Sequence, residues 1–107
     1  METIKSKIEF EKVFSRGRRY GHPLVRVTVL RDDTTTPGKV AFVAAKRLGN
    51  AVFRNRCKRV LREAARLCDL PASGANVILF ATRSTYESTP AEVGVALQKL
   101  LQRAGVA

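Results

Sequence analysis

The sequence predicts an α+β fold: one domain over residues 1–107, in the order helix, strand, strand, helix, strand, helix, with a small mixed sheet packed by helices. Three observations lead there. The chain has 107 residues, 45% of them hydrophobic, enough for one core and one domain. Residues 24–31, 40–45 and 77–81 are short β-rich runs bounded by turn-forming residues. Three other segments carry apolar residues at helical spacing behind capping residues at Ser6, Asn50 and Thr89.

The first helix opens with Ser6-Lys7-Ile8-Glu9, the pattern of a capping box. Phe10, Val13 and Phe14 form its apolar stripe, and Gly17 suits the C′ position. Residues 16–23, basic and punctuated by Gly17 and Gly21, are expected as a loop or extended lead-in. In residues 24–31, Val25, Val27 and Val29 face one way, and Leu24, Arg26, Thr28 and Leu30 the other. Residues 32–38 have turn composition, so the strands on either side should pair antiparallel. Residues 40–45 are apolar on both faces, as in a central strand.

Gly49-Asn50 breaks that strand, and Asn50 caps the next helix. Along it, Phe53, Cys57, Val60, Leu61, Ala64 and Cys68 make a single apolar stripe. Residues 70–74 end the helix, and residues 77–81 form a buried strand. A strand–helix–strand passage of this length predicts that it runs parallel to the second strand. Residues 84–88 read as a loop. Thr89, Pro90 and Glu92 then supply an N-cap, a proline at N1 and a capping-box acid. Val93, Leu97, Leu100, Leu101 and Ala104 are the core stripe of the last helix, and Gly105 ends it.

Charge points to the partner. The formal net charge is +11. Residues 46–66 alone hold eight cations, Lys46, Arg47, Arg54, Arg56, Lys58, Arg59, Arg62 and Arg66, against the single acid Glu63. At about 100° per residue, Asn55, Lys58, Arg59, Arg62 and Arg66 lie opposite the apolar stripe. A solvated helix face mixes signs, and stacked like charges cost stability. A one-sided cationic face therefore calls for a polyanion. No run approaches the roughly 18 apolar residues of a membrane span, and residues 1–10 lack the apolar run of a secretory signal. The chain is expected in the cytoplasm, without a membrane partner.

Cys57 and Cys68 lie on one helix about 16 Å apart, too far for a disulfide. There is no C-x-x-C pair, and His22 is the lone histidine, so no metal site is expected on the protein. A lone histidine also leaves no His-based acid–base pair. The acids Glu2, Glu9, Glu11, Asp32, Asp33, Glu63, Asp69, Glu87 and Glu92 show no carboxylate cluster of the two-metal nuclease kind. No catalytic residue is assigned.

Residues 46–63, KRLGNAVFRNRCKRVLRE, closely resemble the signature of the bacterial ribonuclease P protein subunit. Its centre is the run Arg54-Asn55-Arg56 after Gly-Asn-Ala-Val. The likeness extends to Phe10-Glu11-Lys12-Val13-Phe14 with Gly17, and to the closing strand and helix. The resemblance implies a ribosomal protein S5 domain 2-like fold, with a left-handed crossover around the basic helix. It implies ribonuclease P RNA and precursor tRNA as partners, and a role in removing the 5′ leader. It also implies that Mg²⁺ acts in the holoenzyme, at the RNA rather than on the protein, and that the isolated chain is inactive. The isolated chain is expected to be a monomer.

On this reading Lys46, Arg47, Asn50, Arg54, Asn55, Arg56, Lys58, Arg59 and Arg62 bind RNA. Arginine forks suit phosphates, and Asn55 can serve a sugar or base edge. A cleft between the first helix and the sheet would hold single-stranded leader, with Phe10, Phe14, Arg18, Arg19, Tyr20, Arg26 and Thr28 as its candidates. Members often carry an aromatic on the cleft face of the first strand. Arg26 and Thr28 stand there in this chain, so a more polar contact is expected. The rival reading is a ribosome-type structural RNA-binding protein with no reaction.

Overall fold

The computed structural model describes residues 1–32 and 37–106. The elements are α1 (Lys7–Arg16), β1 (Arg18–His22), β2 (Val25–Arg31), β3 (Val40–Val43), a 3-10 turn (Lys46–Leu48), α2 (Ala51–Leu67), β4 (Ala75–Ala81), α3 (Arg83–Glu87) and α4 (Pro90–Arg103). The fold is α+β as expected, but the sheet has four strands in the order β1-β2-β4-β3.

The extra strand is β1, in a stretch expected as a loop or extended lead-in; the extended form is the one adopted, paired into the sheet. Its sequence, Arg-Arg-Tyr-Gly-His, lacks apolar alternation because it lies at the sheet edge, where half its side chains meet solvent. Pro23 and Leu24 turn it into β2 as a hairpin with Tyr20 opposite Val27. The expected antiparallel pairing of β2 with β3 does not occur. β4 lies between them, antiparallel to β2 and parallel to β3. Most of the predicted turn between β2 and β3, residues 33–36, lies outside the described residues.

β3 is not central, although both of its faces are covered. Its free edge is met by the N-terminal segment, through a bridge from Thr3 and the bond Ile4 N–H to Val40 C=O at 2.8 Å. An apolar strand therefore need not be an interior one. A second correction is α3, expected as loop. Thr82 N–H donates to Thr85 Oγ1 at 2.9 Å. The hydroxyls of Thr82 and Thr85 donate to the carbonyls of Pro23 and Leu24, each at 2.6 Å. Buried Thr85 is thus satisfied, and α3 is tied to the β1–β2 turn.

Strand alternation sorts the core. Val25, Val27 and Val29 of β2, Val77 and Leu79 of β4, and Val40 of β3 face α2 and α4, meeting Leu61, Ala64, Leu97 and Leu100. Ile78 of β4 and Ala41 of β3 face α1 and meet its buried Val13. Ser6 caps α1, accepting from Glu9 N–H at 3.4 Å. The reciprocal half of the predicted box is missing, because both Glu9 carboxylate oxygens accept from Lys39 Nζ at 3.3 Å.

Gly17 ends α1 with an extended backbone, φ −73°, not the left-handed one expected. Glycine is needed there for closeness. A Cβ would stand 2.5 Å from Val13 O and 2.7 Å from Thr28 Cγ2. The box on α4 forms as predicted. Among the described residues no helix is long and apolar enough to cross a membrane.

Candidate nucleic-acid interface

Asn50 starts the basic helix as predicted, its side chain accepting from Phe53 N–H at 2.9 Å. That use occupies the carboxamide oxygen and leaves the amide nitrogen for other partners. Cys57, Val60, Leu61 and Ala64 are buried beneath α2. Burial pushes the thiols of Cys57 and Cys68 above their ordinary range, so neither is an activated nucleophile. Both are free; Cys68 is half-buried rather than enclosed, its Sγ donating to Gly94 O at 3.3 Å.

On the other side Asn55, Arg56, Arg59 and Arg62 are exposed, and Arg54 and Lys58 are half-buried. Among the described residues no acid lies within ion-pair distance of Lys46, Arg47, Arg54, Arg56, Lys58, Arg59 or Arg62. Glu63 takes Arg66, at 2.6 Å. The cationic face is therefore unmasked.

Two of its arginines are fixed by the protein itself. Arg56 Nε donates to Tyr86 O at 3.0 Å, and the guanidinium carbon lies 5.2 Å from the Tyr86 ring centre. Tyr86 stacks on Phe53, with 4.3 Å between centroids and an interplanar angle of 8°. α3, absent from the sequence reading, thus orients Arg56. The Arg62 guanidinium lies 5.3 Å from the Phe42 ring of β3. Arg54 Nε is shielded from solvent without a hydrogen-bond partner among the described residues.

A groove of about 720 Å³ opens between α1 and the sheet face that α1 covers. Phe14, Arg19, Arg26, Thr28, Val43, Phe80, Arg47 and Arg83 are among its lining residues, and among the described residues no acid is. Arg26 stands opposite Phe80 on one side and Gly21 on the other. Phe14 is 6.0 Å from Phe80 between centroids, tilted by 57°. The Arg19 guanidinium lies 4.7 Å over the Phe14 ring, with Nη2 3.4 Å from Phe14 O. Aromatic faces and forked cations thus alternate within one concavity, the combination that holds unpaired bases and their phosphates. Arg47 joins this groove to the N-terminal end of α2 through the 3-10 turn.

Of the seven predicted cleft residues, the groove gathers Phe14, Arg19, Arg26 and Thr28. Thr28 is almost wholly buried and shapes the floor. Phe10 packs half-buried in the smaller core and stacks on Phe14 at 6.3 Å. Tyr20 borders the groove, but it pairs with Val27 and packs against the large core on the opposite sheet face. Arg18 shares that opposite face. The sequence reading missed Phe80 and Arg83. Phe80 supplies the floor aromatic from β4 that Arg26 and Thr28 do not supply from β2. Alternation in residues 77–81 sets Ile78 and Phe80 apart from Val77 and Leu79, but the α1 face was not recognisable as half open.

Comparison with known proteins places the chain in a family. The family profile described as Ribonuclease P matches residues 1–105. The ribonuclease P protein component of Gluconacetobacter diazotrophicus is 37% identical over 105 residues, covering 96% of this chain and 90% of that one. That of Symbiobacterium thermophilum is 35% identical over 104 residues, with the same two coverages. The solved RNase P protein of Staphylococcus aureus superposes with a TM-score of 0.80 at 23% identity, covering 99% of this chain and 97% of that one. The RNase P protein of Thermotoga maritima gives 0.77 at 20% identity, covering 96% and 97%; these two likenesses concern the fold. With the family profile spanning nearly the whole chain, and relatives above 30% identity along it, this chain belongs to the ribonuclease P protein family.

Proposed function

We propose that the chain is the RNA-binding protein subunit of a ribonuclease P, an endoribonuclease complex, and that it positions the 5′ leader of precursor tRNA while the RNA subunit carries the chemistry. One observation supports this above the others. A groove walled by Phe14, Phe80, Arg19 and Arg26 runs, through Arg47, into the unmasked cationic face of α2.

In this reading α2 lays Arg54, Asn55, Lys58 and Arg59 on the backbone of the catalytic RNA. The groove receives the unpaired leader, with bases against Phe14 and Phe80 and phosphates on Arg19, Arg26, Arg47 and Arg83. Holding leader and catalytic RNA on one rigid body fixes the scissile bond relative to the RNA's own site. Clustered cations also offset the repulsion between the two RNAs.

Mg²⁺, when bound, supplies Lewis-acid and nucleophile-generating chemistry at the RNA. Among the described residues no three His, Cys, Asp or Glu side chains converge, and in this reading no side chain of the protein is assigned to hold that ion. We place the protein in the cytoplasm, with its substrates, as a monomer when isolated. The relatives lend no support to a ribosome-type structural role.

Reconstitution is the test. Protein added to its cognate RNA should raise leader cleavage of precursor tRNA at modest Mg²⁺, and protein alone should leave the substrate intact. Unchanged cleavage by the RNA, or single-site cutting by the protein alone, would overturn the assignment.

A further inference from the structure

A second concavity, of about 420 Å³, lies on the far side of β1 from the groove just described. Arg16 at the end of α1, Arg18 of β1, Arg31 of β2 and Arg103 at the end of α4 line it, with Tyr20 and Gly105. All four arginines are exposed, and among the described residues none has an acid within ion-pair distance. Four like charges around one hollow repel each other. The fold offsets part of that cost, because α1 and α4 both end here and helix C-termini favour cations. Gly105 has φ +75°, and a Cβ on it would lie 2.7 Å from Arg31 Nη1. Glycine thus ends α4 and leaves room for the Arg31 guanidinium over that turn.

Strand alternation links this hollow to the groove beside α1. Arg18 and Arg19 are neighbours on the edge strand, about 3.8 Å apart at Cα, and they face opposite sides of the sheet. A strand of phosphates leaving the groove at Arg19 meets Arg18 by crossing the edge of β1. Among the described residues no acid lines either concavity.

We propose that the hollow formed by Arg16, Arg18, Arg31 and Arg103 is a second RNA-backbone site. It takes phosphodiesters either from the leader beyond the groove or from the catalytic RNA. The proposal rests on the functional reading above, and wild-type reconstitution tests that reading separately. The variant is Arg18→Glu with Arg103→Glu. Its control is Lys5→Glu with Lys99→Glu, which changes net charge equally at exposed positions outside both concavities. Circular dichroism and Tm establish that both fold; if the charge reversal does not, Arg18→Gln with Arg103→Gln replaces it, against Lys5→Gln with Lys99→Gln.

Affinity is measured against salt for three probes: the catalytic RNA, and precursor tRNA bound to holoenzyme with a leader that ends inside the groove or one that extends beyond it. The arginine variant is expected to lower the log–log salt slope by about two, and to lose roughly tenfold in affinity at physiological salt, for one of these. A loss confined to the long leader assigns the site to substrate. A loss toward the catalytic RNA itself assigns it to that subunit. Affinities unchanged for all three probes, or lowered equally by the lysine control, would overturn the proposal.

Discussion

Phe14 and Phe10 stack on one another yet have different work. Phe14 stands 41% exposed on the groove wall, whereas Phe10 is packed into the core beneath α1. Phe14→Ala is expected to weaken single-stranded RNA binding by about 1–3 kcal/mol, the range for one base–aromatic stack, with little change in Tm. Phe10→Ala should do the reverse. Fluorescence titration with unpaired RNA and thermal melts on both variants separate the two roles. On α2 the contrast is between charge and geometry. Lys58→Ala should lower the salt slope by up to about one, the signature of a lost phosphate contact. Arg56→Lys keeps its charge but cannot reproduce both the planar stack and the Nε bond to Tyr86. Its affinity should fall with the slope unchanged, as salt-dependent binding isotherms would show. The sequence made Arg56 and Phe14 visible because each belongs to a periodic helix. It hid Phe80 and Tyr86, whose roles depend on which sheet face stays open and on a helix of five residues.

Elements were legible where local chemistry and tertiary context agree. The α4 box is such a case. Thr89 N–H donates to Glu92 Oε1 at 2.9 Å, and Glu92 N–H donates to Thr89 Oγ1 at 3.1 Å. The backbone bond from Thr89, with a smaller side-chain contribution, holds the Glu92 carboxyl below the usual carboxylate range. A folded-state value lower than the unfolded one contributes stability above the unfolded value, and loses it as pH falls through the folded one. Glu92→Gln should therefore narrow its Tm gap to wild type as pH drops through and below the carboxylate range. A gap constant with pH would remove the ionised box as its cause. Elements were illegible where context decides. β1 has no apolar alternation to announce it, and β4 enters between two strands that a short connection made look like partners. Gly17 was placed at the helix end for the wrong reason. Since its Cβ would strike Val13 O and Thr28 Cγ2, Gly17→Ala should push α1 off the sheet. Tm and single-stranded RNA affinity would then fall together.

Across the whole molecule the +11 charge is distributed, not confined to one helix. Cations of α2, the α1 groove and the hollow beside α4 surround a mixed sheet whose two edges are treated differently. The β3 edge is occupied by residues before α1. Among the described residues no strand lies beside the β1 edge, and exposed Arg18 and Arg19 set charge along it. Two such margins brought together repel while ionic strength is low. Concentrated salt, the usual means of stripping nucleic acid from a basic protein, shortens the reach of that repulsion to a few ångströms. The preparation freed of its ligand is then the one most ready to self-associate. Light scattering along a salt series should register the onset, and Arg18→Ala with Arg19→Ala should bring it to lower salt.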